Sequence, residues 1–185
     1  MRVISGIYRG RRLKEPADNS VRPTTDKVKE SVFNIIQFDI EGRNVLDLFA
    51  GTGQLGIEAL SRGARSAAFV DRRTEAAKLV RDNLALCGFT DRSQVVCGDA
   101  MGYLSSLRTK FDIIFLDPPY ETELLEQSLA HIARFDILAS RGIIVAESPV
   151  DKLLPALSAP YGVYREYRYG KIKVTIYHRE GEEMP

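Results

Sequence analysis

From about residue 43 onward, short apolar runs alternate with helical patterns, and this alternation constrains the fold more than any other sequence feature. Such an order is typical of a parallel sheet with crossover helices. Several runs are apolar almost throughout, which is expected of strands that are covered on both faces. The predicted strands are Val45 to Phe49, Ala67 to Asp71, Gln94 to Cys97, Phe111 to Asp117 and Gly142 to Glu147.

The segments between these runs have the apolar spacing of helices. One helix is predicted after Gly53, one from Thr74, which is placed as a cap, to Gly88, and one from Glu123 to Phe135. A further amphipathic helix is predicted over residues 28–36, ahead of the first strand.

Both ends of the chain depart from this alternation. Val163 to Tyr169 and Ile172 to Tyr177 alternate around Gly170-Lys171 and predict an antiparallel hairpin, and residues 2–14 predict a small hairpin arm. The predicted fold class is α/β, a Rossmann-like seven-stranded mostly parallel sheet with an antiparallel C-terminal hairpin strand and helices on both faces. The expected domains are the arm, over residues 1–20, and one α/β domain over residues 21–185.

The composition favours a single domain in a reducing compartment. A chain of 185 residues with 44% hydrophobic residues can bury one sizeable core. It contains no apolar stretch of membrane-spanning length and no signal-peptide pattern, so no membrane association and a cytoplasmic location are expected. Cys87 and Cys97 are expected to be small core residues. Neither His131 nor His178 has a cluster of metal-ligating residues around it, so no metal site is predicted.

A glycine-rich turn follows the first predicted strand. Gly51, Gly53 and Gly56 match the dinucleotide fingerprint G-x-G-x-x-G, and Asp71 lies twenty residues after Gly51. A carboxylate at the end of the second strand can accept hydrogen bonds from ribose hydroxyls. The glycine turn alone is therefore compatible with either a nicotinamide dinucleotide or S-adenosylmethionine.

Three further carboxylates favour S-adenosylmethionine. Asp47, four residues before Gly51, would attract a cationic sulfonium or ammonium and repel a pyrophosphate. Asp99, at the third strand end, can accept from an adenine amino group, and Asp117 ends the fourth strand. Because all four strands should open at one edge of the sheet, these acids are expected to lie together.

The fourth strand leads into Asp117-Pro118-Pro119-Tyr120, which has the residues of a clamp for a planar amine. Asp117 supplies an acceptor, the two prolines remove backbone donors and stiffen the turn, and Tyr120 offers an aromatic face. A nucleobase with an exocyclic amino group fits this combination, and these four residues are the predicted catalytic residues.

These blocks resemble the class I S-adenosylmethionine-dependent methyltransferases, and most closely the bacterial family that methylates N2 of guanine 966 in 16S rRNA. The most specific blocks are Ile4 to Leu13 and Arg22 to Asn34, whereas the glycine turn and the clamp occur across many amino-methyltransferases. Thr52 and Gln54 stand where serine and alanine are common in the family. The resemblance covers nearly the whole chain, at Ile4 to Leu13, Arg22 to Asn34, Leu46 to Ala64, Gly98 to Ala100 and Phe111 to Tyr120.

The resemblance implies that S-adenosylmethionine is the cofactor and that the guanine enters the clamp. The implied cofactor contacts are Pro23, Thr24, Asp47, Phe49, Gly51, Gly53, Asp71, Arg72, Asp99, Ala100 and Asp117. The substrate is expected to be 16S rRNA within an assembled or assembling small subunit, and the enzyme is expected to be a monomer.

The first fourteen residues carry five basic side chains and no acid, so they are the predicted RNA handle. Arg22 is compatible with RNA binding and also with bracing the helix that follows. The predicted RNA-binding residues are Arg2, Arg9, Arg11, Arg12, Lys14 and Arg22.

Three other functions compete with this prediction. A DNA adenine-N6 or cytosine-N4 methyltransferase would use the same kind of clamp, although we expect no segment here for a DNA recognition domain. A nucleotide-dependent oxidoreductase is suggested by the glycine spacing alone. A non-catalytic RNA-binding module is disfavoured by the acids at all four strand ends.

Overall fold

The computed structural model describes residues 1–16 and 26–180, and a seven-stranded sheet forms its centre. The strand order is β3-β2-β1-β4-β5-β7-β6, in which β7 pairs antiparallel with both β5 and β6 and all other pairs are parallel. The predicted fold class is confirmed. The strands are β1 (Asn44–Asp47), β2 (Ser66–Asp71), β3 (Ser93–Cys97), β4 (Phe111–Leu116), β5 (Leu138–Pro149), β6 (Tyr161–Tyr169) and β7 (Ile172–Arg179).

Helices cover both faces of the sheet, as the apolar runs predicted. One core layer lies beneath α1, α2, α3 and the N-terminal hairpin, and the other lies beneath α4 and α5. Neighbouring β1 residues Val45 and Leu46 are fully buried in opposite layers, because successive side chains of a strand alternate between its faces. The helices are α1 (Asp26–Ile35), α2 (Gln54–Ser61), α3 (Thr74–Leu86), α4 (Ala100–Ser106) and α5 (Leu124–Phe135).

The N-terminal hairpin, residues 1–14, is packed onto the domain. A single bridge joins Arg2 and Arg12, while Val3 and Leu13 belong to the core beneath α2 and α3. Gly6 has a φ of 81°, and an added Cβ there would lie 1.8 Å from the Ser61 carbonyl oxygen. Only glycine therefore permits this close approach of the hairpin to α2.

A buried charge cluster fastens the hairpin to α2. The Glu58 carboxylate accepts hydrogen bonds from the backbone N–H groups of Ile4 and Ser5, at 2.7 and 2.9 Å. Lys29 of α1 is fully buried, lies 3.9 Å from Glu58 and donates to the Arg2 carbonyl at 2.6 Å. Burial lowers the pKa of Lys29, opposed by the Glu58 charge. The hairpin, α1 and α2 are thus joined by one ionic cluster.

Several local features differ from the sequence predictions. The N-cap of α3 is Arg73 rather than Thr74, and no side chain caps that end. Cys97 is exposed, because the edge strand β3 leaves it outside the core, whereas Cys87 is buried as predicted. The short helix α4 was not predicted, since its seven residues give little periodic signal. Within the described residues, every helix falls short of the length and hydropathy of a membrane span.

Candidate active site

The carboxyl ends of the parallel strands bring the predicted acids to one edge of the sheet. Asp47 ends β1 and pairs in register with Phe69 of β2 and Phe115 of β4. Asp71 ends β2, and Asp117 follows the last residue of β4. An open α/β sheet places its ligand crevice at this edge, at the point where the strand order reverses.

The glycine turn is held by Asp71. Gly51 and Gly53 have φ angles of 54° and 78°, which residues with a Cβ rarely adopt. Asp71 accepts a hydrogen bond from the Gly51 N–H at 2.9 Å, and its other oxygen accepts from the Arg73 N–H at 2.9 Å. Gly56 has a different role, since an added Cβ would lie 2.3 Å from the ring of Phe69. The third glycine of the fingerprint therefore serves helix-to-strand packing.

Asp47 is a buried carboxylate with little compensation. Its side chain is 3% exposed and accepts a hydrogen bond from the Gly56 N–H at 3.1 Å. Burial raises its pKa to about 7; the Gly56 N–H opposes this shift and the nearby Asp71 charge adds to it. Among the described residues, no cation lies within 4.0 Å of Asp47. A cationic ligand at this point would restore the charged form.

The predicted adenine and ribose region is more open. Asp99 is exposed and caps α4, since its Oδ2 accepts from the Gly102 N–H at 2.8 Å. Ala100 is buried beside it, Arg72 is exposed, and Phe49 is half-buried against the second core layer. The capping bond gives Asp99 a structural role. Its contact with the adenine stays a prediction.

The clamp follows β4 and contacts the end of β5. Asp117 and Tyr120 are half-buried, Pro118 is buried and Pro119 is exposed. The Tyr120 hydroxyl donates to a Glu147 carboxylate oxygen at 2.5 Å. This bond ties the aromatic ring of the clamp to the neighbouring strand.

Glu147 is a candidate site residue that the sequence analysis missed. It is 8% exposed and lies two residues before the end of β5, near the edge of the sheet where the other four acids lie. That position was the available signal, because β5 was predicted to stop at this residue. The strand in fact continues to Pro149.

One hollow joins the clamp to the helix that follows the glycine turn. Leu55 lies in the first turn of α2, and it lines this hollow together with Asp117 and Glu147. The remaining wall is apolar and comes from α1, β4, β5 and β7. Two carboxylates thus lie in an apolar recess close to Tyr120, and their oxygens can accept hydrogen bonds from N–H donors.

The predicted RNA handle is exposed. Two of its basic side chains form ion pairs, Arg2 with Asp26 at 3.7 Å and Lys14 with Asp82 at 2.9 Å. The other basic side chains of the handle are Arg9, Arg11 and Arg12. The predicted contacts Arg22, Pro23 and Thr24 lie outside the described residues.

The hairpin also contacts the glycine turn through Asn83, which is fully buried on α3. The Asn83 side-chain amide donates to the carbonyls of Thr52 and Lys14, at 3.0 and 3.2 Å, and its oxygen accepts from the Lys14 N–H at 2.7 Å. One side chain therefore links the handle to the predicted cofactor turn.

Several known proteins similar to the chain are methyltransferases by name. The Bacillus subtilis protein YlbH, named as a proposed rRNA methyltransferase, is 45% identical over 184 residues, covering 98% of this chain and 100% of that protein. The ribosomal RNA small subunit methyltransferase D of Escherichia coli is 36% identical over 182 residues, or 98% and 91% of the two chains. The solved E. coli structure of yhhF, named as a proposed methyltransferase, has a TM-score of 0.89 and 35% identity over 98% of this chain and 99% of that one.

The model of the family described as "Conserved hypothetical protein 95" matches residues 1–178. This match spans the basic hairpin, the glycine turn, the clamp and nearly all of the C-terminal hairpin. The chain therefore belongs to that family, together with the E. coli small subunit methyltransferase D, as the sequence blocks predicted.

Proposed function

We propose that the protein is an S-adenosylmethionine-dependent methyltransferase that methylates the exocyclic N2 of a guanine in small-subunit rRNA. The observation that carries this proposal is the recess at the end of β4. Asp117 and Glu147 line it, and Tyr120, hydrogen-bonded to Glu147, stands beside it. The names of the relatives supply the class of substrate.

The residues at the ends of β1 and β2 suit S-adenosylmethionine. Asp47 is buried with a raised pKa and no described cation beside it, so a sulfonium or ammonium would stabilise its charged form. The open backbone at Gly51 and Gly53 permits close approach of the methionine part. Asp71 and Arg72 would hold the ribose, and Asp99 with Ala100 and Phe49 would contact the adenine. When bound, the cofactor supplies an electrophilic methyl group on a positively charged sulfur.

The clamp residues would orient the amine. A guanine amine is a weak nucleophile because its lone pair is delocalised into the ring. Accepting its N–H bonds at the Asp117 carboxylate and the Pro118 carbonyl would favour a tetrahedral nitrogen and aim its lone pair. Positioning of this kind supplies roughly 7–11 kcal/mol in well-oriented intramolecular reactions. Pro119 stiffens the turn, and Tyr120 would stack on the base.

A stacked or paired guanine hides its amine, so the target would enter the recess unstacked or flipped. The exposed arginines of the N-terminal hairpin would neutralise phosphates around it. The substrate particle is proposed to be an assembled or assembling small subunit, methylated by a monomer in the cytoplasm. Family membership disfavours the oxidoreductase, and the names of the relatives favour rRNA over DNA.

The function is tested by incubating the protein with small subunits that lack the modification and with methyl-labelled cofactor. We expect one N2-methylguanosine per subunit, located by nucleoside mapping. Asp117→Ala should lower turnover about 100-fold or more while cofactor binding is retained. Glu121→Ala removes an exposed acid next to the clamp and is the matched control. Label in DNA, or a turnover of Asp117→Ala near that of the wild type, contradicts the proposal.

A further inference from the structure

One face of the edge strand β6 carries three tyrosines and one arginine. The Arg165 guanidinium lies 5.6 Å from the ring centre of Tyr164. Tyr167 and Tyr169 pack against the rim of the core layer beneath α1, while Tyr164 is 58% exposed. We call the residues of this face, Tyr164, Arg165, Tyr167 and Tyr169, the β6 stripe.

The β6 stripe continues the row of residues that begins at the clamp. Tyr167 pairs in register with Val174 of β7, and Val174 pairs with Glu147 of β5. Val174, Glu147 and Asp117 line the same hollow. Side chains paired across a sheet share one face, so Tyr167 lies on the clamp's side of the sheet. Arg165, which pairs with Ile176, lies on the same side, and so does Tyr164, which stacks on His178 two positions further along β7.

The positive charge of this region has little acid to offset it. The segment from Tyr161 to Lys173 contains four basic residues and one acid, Glu166. Glu166 is engaged by Lys173 at 3.2 Å and accepts from the Thr175 hydroxyl at 3.3 Å. These contacts lie on the other face of the hairpin, which leaves the Arg165 charge uncompensated by the strand's own acid.

Packing against the core explains only some of the aromatic side chains in the β6 stripe. The half-buried rings of Tyr167 and Tyr169 cover the core rim, as edge residues commonly do. Tyr164 stacks on His178 with ring centres 4.3 Å apart and yet stays mostly exposed. An exposed ring beside an exposed guanidinium on an edge strand adds little to folding, but it is the combination on which unpaired bases stack.

The stripe and the N-terminal hairpin flank α1. Lys29 of α1 donates to the Arg2 carbonyl of the hairpin, whereas Val32 of α1 lines the hollow with Val174 of β7. A strand of RNA that contacts both basic surfaces would therefore pass α1 and the clamp edge.

We infer that the β6 stripe is a second RNA-contact surface, which holds an unpaired stretch of rRNA beside the nucleotide that enters the clamp. This inference rests on the proposed function for its substrate class. The chemistry is base stacking on Tyr164 with phosphate or cation–π contact from Arg165, without base-specific readout.

The test measures filter binding of protein-free small-subunit rRNA over a salt series. The variants are Arg165→Ala and the Tyr164→Ala/Arg165→Ala double variant; Arg168→Ala, which removes the same charge from the opposite face of β6, is the control. We expect about tenfold weaker binding for the double variant. Removing Arg165 should also reduce the slope of log affinity against log salt by about 1. Cofactor affinity and kcat at saturating substrate should not change, while KM for the RNA substrate rises.

Wild-type-like binding by the double variant overturns the inference, and so does an equal loss in Arg168→Ala. An effect seen with ribosomal particles but not with protein-free RNA also overturns it, because the stripe would then contact a ribosomal protein. The proposed function fails separately, if the wild type transfers no methyl group to rRNA. Loss of RNA binding in the variants supports the stripe in either case.

Discussion

Glu58 and Asp47 are two buried carboxylates near the same face of the sheet, and their surroundings differ. Glu58 is fully buried and accepts two backbone N–H bonds of the hairpin, at 2.7 and 2.9 Å, and the Arg62 guanidinium bond at 2.8 Å. Lys29 adds a second cation at 3.9 Å. Asp47 accepts from the Gly56 N–H, has the Asp71 charge nearby and has no described cation within 4.0 Å.

Groups of the chain itself compensate the Glu58 carboxylate, whereas we propose that a bound ligand compensates Asp47. A buried charge is costly unless it is paired and hydrogen-bonded. The Glu58 cluster meets that condition with groups of the chain itself. Asp47 does not, and it lies at the strand end where the glycine turn leaves the backbone open. Compensation of its charge is therefore expected to come from a bound cation.

The largest expected effect follows from breaking the Glu58 cluster. Glu58→Ala leaves Lys29 buried without its carboxylate, so the free energy of unfolding should fall by about 3–5 kcal/mol in urea denaturation. Glu30→Ala, which removes an exposed acid of α1, should change it by about 0.5 kcal/mol or less. A loss of less than about 1 kcal/mol in Glu58→Ala would show that the cluster does not fasten the hairpin.

At Asp47 we expect a substitution to raise the free energy of unfolding, not to lower it. A folded-state pKa raised to about 7 means that the native state binds the proton more tightly than the unfolded state. The free energy of unfolding of the wild type therefore falls as the pH rises from about 4 to about 7. Asp47→Asn removes this loss and should raise the free energy of unfolding at pH 8 by about 1–3 kcal/mol, with little gain at pH 4.

The same substitution should weaken binding of S-adenosylmethionine about tenfold or more, since a neutral amide attracts the cation less. Thermal unfolding at the two pH values and calorimetric titration measure the two effects. If Asp47→Asn destabilises the protein at pH 8, burial is not the dominant influence on this carboxyl group.

The sequence predicted those parts of the fold that repeat a strong local pattern. The apolar strands and the Gly170 turn are examples, because each is set by periodicity or by one residue type. Glu58 was not singled out, since its partners Ile4 and Ser5 are more than fifty residues away and only tertiary contact reveals them. The raised pKa of Asp47 was missed for the same reason, because it depends on burial that no short motif reports.

The same distinction between local pattern and tertiary contact applies to the candidate site. The strand-end acids and the clamp were predictable, because parallel strands must end at one edge of the sheet. The bond between Tyr120 and Glu147 was not, since the two residues are 27 positions apart in the chain and only tertiary contact brings them together. The packing of the N-terminal hairpin was also missed: its basic residues are exposed as an arm would have them, but Val3 and Leu13 anchor the hairpin in the core.

The smallest expected effect tests the charge state of Asp47 directly. If a bound cation lowers the raised pKa of this carboxyl group, complex formation below pH 7 must release a proton. In this range the cofactor's own amino group stays protonated and does not obscure the change. Affinity for S-adenosylmethionine should therefore rise from pH 5.5 to pH 7, by at most about tenfold per pH unit.

Calorimetry at pH 6, in buffers with different ionisation enthalpies, measures the proton directly. The wild type should release up to one proton for each cofactor bound, and Asp47→Asn should release none from this position. Equal release by both proteins would mean that Asp47 is already ionised before the cofactor binds. The contrast with Glu58 would then no longer identify the cofactor site, because both buried carboxylates would be charged without a ligand.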